Sequence, residues 1–83
     1  MVETAHTSLV ERIARVLAAE AFSSNAQGND PSAADKVDLA WREHVGQAMA
    51  VLHALREPDA AAAAAGDPEV WQRMVEASIA TAE

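Results

Sequence analysis

The sequence predicts an all-α fold: a small antiparallel array of three main helices plus one short connecting helix, in a single domain over residues 1–83. Three observations carry this expectation. Apolar side chains recur at three- and four-residue steps in three separate stretches, the period of a helix that buries one face. Residues that cap or break helices fall between those stretches: Ser8, Asp30-Pro31, Pro58, Gly66 and Asp67-Pro68. No run alternates β-branched and polar residues as a half-buried strand would.

The first helix is expected over residues 8–22. Ser8 and Glu11 have the spacing of a capping box, in which each side chain satisfies the other residue's free backbone N–H. Val10, Ile13, Ala14, Leu17 and Ala21 form its apolar stripe, widened by Leu9, Val16 and Phe22, with Glu11 and Arg15 paired outside. The polar stretch SSNAQGND competes for backbone hydrogen bonds and reads as a loop. Asp30 then caps, and Pro31 opens, a long helix over residues 31–56. Val37, Trp41, Val45, Ala48, Leu52 and Leu55 hold one face of it, with Met49 beside them and Asp38 and Arg42 paired on the flank. Gly46 inside this helix costs about 1 kcal/mol relative to alanine. It reads either as a tolerated glycine or as a point where another helix comes close. Pro58 breaks the chain. The alanine run predicts a short helix over 59–65, ended by Gly66 in a left-handed cap. Asp67-Pro68 repeats the cap-then-proline device and opens a last helix over 68–82. Its stripe is Val70, Trp71, Met74, Val75, Ser78, Ile79 and Ala82, with Glu69 and Arg73 paired outside.

Composition sets the stability margin. Half of the residues are apolar, but half of those are alanines, so the large apolar side chains suffice for one small core with little surplus. Cores of this kind are commonly completed by a partner or a second copy, and a homodimer is the expectation. A net charge of −7 repels phosphate backbones and anionic membranes. No apolar run approaches the roughly 20 residues of a membrane span. MVETAHTSLVER lacks the basic and apolar segments of a secretory signal, so the expected compartment is the cytoplasm.

The catalytic chemistries fail one by one. Without cysteine there is no disulfide and no thiolate metal site. Glu3 and His6 have the spacing found in di-iron bundles, which need two such pairs and two more carboxylates, and here only one pair stands. His44 and His53 lie nine apart, not at the four-residue spacing of a helical zinc pair. Ser8 is committed as a cap, and no glycine-rich elbow surrounds Ser23, Ser24 or Ser32. The acids are spread along helix flanks, and Glu11, Asp38 and Glu69 each have a base one turn on, the signature of solvated faces. The expectation is therefore no enzyme, no metal and no cofactor.

What remains is contact through surfaces. Trp41 and Trp71 serve either the core or, as tryptophan often does, a protein interface. Trp41, Val45, Met49, Leu52, Leu55 and Trp71 are the candidate contact residues. The alternative is a small nucleic-acid-binding or regulatory protein acting through Arg12 and Arg15. The last helix offers only Gln72 and Arg73 among Glu69 and Glu76, which makes nucleic acid the lesser expectation.

Ala54-Leu55-Arg56-Glu57-Pro58, then Gly66, then Trp71 and Met74, form an A-x-R-E-P … G … W-x-x-M pattern. With IARVLAAEAF near the N-terminus, it resembles the layout of short helical proteins from proteobacteria and tailed phages or prophages. The chain departs from that layout at Asp59 and in its alanine run. The resemblance implies no activity; it implies a phage-like context and an accessory or interaction role.

Overall fold

Ser8 starts the first helix as its spacing predicts: its Oγ accepts the Glu11 N–H at 3.2 Å. The reciprocal half of the box is used differently, because the Glu11 carboxylate accepts from Arg15 Nε at 2.9 Å. In the computed structural model, which describes residues 7–26 and 33–82, the chain is all-α. The helices are α1 (Leu9–Ala26), α2 (Ala33–Ala40), α3 (Val45–Leu55), α4 (Ala60–Ala65) and α5 (Pro68–Ala82), with a 3₁₀ turn over Trp41–His44 between α2 and α3. Asp30-Pro31, Ser32, Glu3 and His6 lie outside the described residues.

α1 runs one turn beyond the expected stop at Phe22. Ser, Asn and Ala cost at most about 0.7 kcal/mol each in a helix, less than is needed to end one without a glycine or proline. The expected continuous helix over 31–56 is interrupted. Ala40 (φ −113°, ψ −8°), the last residue of α2, stays in the right-handed region with a widened φ, and His44 (φ −101°, ψ 5°), the last residue of the 3₁₀ turn, leaves it. A 3₁₀ turn has three residues per turn and a longer rise, so it resets the angle at which α3 leaves α2. The break accompanies a cluster on α1. Arg15 reaches Asp38 Oδ1 at 2.6 Å, and both Arg15 and Arg42 lie over the Trp41 ring, at 5.4 and 4.5 Å from its centre. Asp38 is thus spent on Arg15, not on Arg42 as expected. The Asp38 and then the Glu11 hydrogen bonds hold the Arg15 guanidinium above its ordinary pKa.

The last two helices are capped by aspartates. Asp59 accepts the Ala62 N–H at 2.8 Å, and Asp67 accepts from Glu69 and Val70 at 2.9 and 3.4 Å. Gly66 is extended (φ −159°, ψ −154°), so the left-handed cap expected there is absent, and Asp67 beside it caps the start of the next helix. A Cβ placed at Gly46 meets nothing within 4 Å, so no neighbouring helix approaches closely there. Gly46→Ala is accordingly expected to stabilise the fold by about 0.5–1 kcal/mol, read as a higher midpoint in urea at unchanged slope.

α1 lies antiparallel to the α2–α3 run, with Leu9 beside Leu55 at one end and Arg15 beside Asp38 toward the other. α5 folds back along α3, held by Arg56 to Glu76 at 3.7 Å and by the Trp71 Nε1–H, which donates to the Leu55 carbonyl at 2.6 Å. Glu69 and Arg73, expected to pair, form no ion pair. Among the described residues the core is Val10, Ala14, Ala48, Leu52, Val75 and Ile79, with Ala18 also buried, and Leu52 is the only large side chain that is fully buried. Among the described residues no helix is long and apolar enough to cross a membrane.

Candidate protein-contact surface

An α-helix turns about 100° per residue, and this decides how much of each apolar stripe the core can use. On α5, Val75, Ile79 and Ala82 share the inner arc, while Val70, Trp71 and Met74 lie on an adjoining arc that faces outward. On α1, Val10, Ala14 and Ala18 point inward, and Val16 lies well outside their arc. On α3, Ala48 and Leu52 are buried, and Val51 and Leu55 stand to one side of them. Each of the three long helices therefore carries more apolar surface than the core consumes.

The surplus coalesces. Leu9, Ile13, Val16 and Leu17 of α1 face Val51 of α3 across a groove of about 340 Å³, edged by Arg12. Leu9 also lines a second hollow with Leu55, Trp71 and Met74, of about 210 Å³. Trp71 and Met74 continue into a third, of about 260 Å³, closed by Pro58, Ala62 and Val70 at the elbow around α4. The three share residues and form one apolar band. Val16 is 61% exposed and Met74 64%, and Val51, Leu55, Val70 and Trp71 are each more than one-third exposed.

The whole chain exposes 6149 Å², against about 4,800 Å² for a folded monomer of its 8.8 kDa mass. Its radius of gyration is 14.9 Å, against about 12 Å for a compact 83-residue domain.

The candidate contact residues divide. Leu55 and Trp71 belong to the band. Leu52 does not: it is fully buried in the chain's own core, so it cannot be a contact residue of the folded chain. Trp41, Val45 and Met49 are partly buried and pack against that core. Trp41 is occupied further by Arg15 and Arg42. Leu9, Ile13, Val16, Val51, Val70 and Met74 were not among the sequence candidates. The signal for them is stripe width, since α1 and α5 carry apolar arcs too broad for one interface.

Electrostatically the band is uneven. Between Glu57 and Gln72 the chain has four acids, Glu57, Asp59, Asp67 and Glu69, and no base. All four are exposed; Asp67 lines the elbow hollow, and Glu57, Asp59 and Glu69 each adjoin one of its lining residues in sequence. The α1–α3 groove has only Arg12 among its lining residues as a charged group. Arg15, one of the two bases suggested for nucleic acid, is engaged by Glu11 and Asp38. His44 Nδ1 lies 2.9 Å from Gln47 Oε1 and His53 is exposed on α3 beside Arg56, so the two histidines share no site. Among the described residues no group of three or more His, Asp or Glu could hold a metal ion. No known protein family, curated protein or solved structure matches the chain.

Proposed function

We propose that this chain is a non-enzymatic protein-contact module that forms a homodimer through the α1–α3 sector of its apolar band, around Leu9, Ile13, Val16, Leu17 and Val51. The single observation that carries this reading is the continuity of surplus apolar surface across α1, α3 and α5. A stable dimer needs about 800 Å² from each partner, so the contact would extend from these residues over the neighbouring surface of both helices. The α1–α3 sector suits a second copy because its lining is nearly free of charge. An interface centred on the elbow would instead set four acids of one copy against the same four of the other. Leu55 and Trp71 then border the contact and do not centre it. The resemblance carried by Arg56-Glu57-Pro58, Gly66, Trp71 and Met74 supports an accessory role in a phage or prophage setting, within the cytoplasm.

Light scattering on a size-exclusion column tests the dimer directly. A dimer mass at tens of micromolar is expected, and a monomer at high micromolar concentration that melts cooperatively would end the proposal. Salt adds a second criterion. Two copies at −7 repel, so the dimer is expected to tighten as salt screens that repulsion. Binding to nucleic acid through Arg12 and Arg15 would weaken with salt instead.

A further inference from the structure

The elbow hollow lies at the far end of the band from the dimer sector, and its chemistry is different. Its floor is apolar: Pro58, Ala62, Val70, Trp71 and Met74. The segments that border it are acidic: Asp67 lines it, the exposed Glu57, Asp59 and Glu69 each adjoin a lining residue in sequence, and Arg73 is the only base after Arg56 in the chain. The Trp71 indole is fixed by its bond to the Leu55 carbonyl, so the aromatic wall of the hollow is already in place without a ligand. Met74 is unbranched and 64% exposed, and a thioether side chain adapts to varied apolar shapes.

We infer that this hollow docks a basic amphipathic helix of a partner protein. The apolar face of that helix would lie on Trp71 and Met74, and its lysines or arginines would meet the acidic rim. Helix-in-groove recognition requires an apolar trough and a means of selecting the flanks of the incoming helix. Here the trough is the floor and the selection is by charge. The same rim disfavours a second copy of this acidic chain, so the elbow and the dimer sector take different occupants. The inference goes beyond the proposed self-association: it shares the apolar band and Trp71 at its border, but is centred on Met74 and the acids of the elbow.

The probe is a fluorescein-labelled peptide of about fourteen residues, with leucines at helical spacing and lysines elsewhere, followed by anisotropy at low salt. Its control replaces every lysine by glutamate. The lysine peptide is expected to bind at least about tenfold more tightly than the glutamate peptide. The double change Glu57→Gln with Glu69→Gln, which touches neither aspartate cap, is expected to weaken binding about threefold to tenfold. Glu20→Gln with Glu43→Gln, elsewhere on the surface, is expected to leave it unchanged. Met74→Glu, at a side chain outside the core, is expected to weaken it about tenfold or more. Equal binding of the two peptides, an equal loss from the Glu20 and Glu43 changes, or no loss from Met74→Glu would each overturn the inference. The two readings fail separately. A dimer that ignores the lysine peptide removes this one alone, and a monomer that binds it at the elbow removes self-association alone.

Discussion

Leu52→Ala is expected to unfold a large fraction of the molecules at 37 °C. A buried leucine replaced by alanine costs about 2–5 kcal/mol, rising with the size of the cavity left behind. A domain of 83 residues has a total stability of about 4–12 kcal/mol. Among the described residues Leu52 is the only large side chain that is buried completely, and Ala14, Ala18 and Ala48 around the core are too small to move in and fill the space. Each kcal/mol shifts the melting temperature of a domain this size by about 4–8 °C, so a fall of at least about 10 °C is expected by circular dichroism. Leu39→Ala is the matched control. Leu39 is 84% exposed on α2, and its loss is expected to change stability by less than about 0.5 kcal/mol. Equal effects at the two leucines would mean that the core is not where it is described above.

Val16→Asp is expected to weaken the dimer by on the order of 100-fold, leaving a monomer at concentrations where the parent chain is paired. The change deletes an apolar side chain at the centre of the proposed contact and asks the dimer to bury a carboxylate. Its cost to the monomer is small. Val16 is 61% exposed, and valine and aspartate have nearly equal helix propensities. Sedimentation equilibrium on the two chains, with circular dichroism to confirm unchanged helicity, reads the result. A variant that pairs as tightly as the parent would place the dimer contact elsewhere or remove it.

Much of the fold was legible because local signals and the global arrangement agree. The cap at Ser8, the break at Pro58 and the cap-and-proline pair at Asp67-Pro68 each lie where the chain turns, and the last helix spans 68–82 in both readings. The 3₁₀ turn was not legible. Trp41 to His44 contains no glycine or proline, and the turn coincides with contacts to Arg15, a residue 26 positions before Trp41. The same limit explains the misplacement of the contact residues. A helical stripe states that Leu52 and Leu55 share a face, but only the angle between α3 and its neighbours decides that Leu52 goes in and Leu55 stays out. Asp38 likewise has a base one turn away in Arg42, and it is tertiary packing that brings Arg15 closer.

The bond from Trp71 to the Leu55 carbonyl has a consequence for how freely this chain can vary in length. It joins the start of α5 to the end of α3 across a 16-residue span of sequence, so the position of α5 does not depend on the segment between them acting as a ruler. α4 buries none of its six alanines in the core. Adding residues to such a closed loop costs only about 0.6 kcal/mol for each doubling of its length. The alanine run is therefore a site where an insertion or a tag can be accepted with the three long helices still packed as they are.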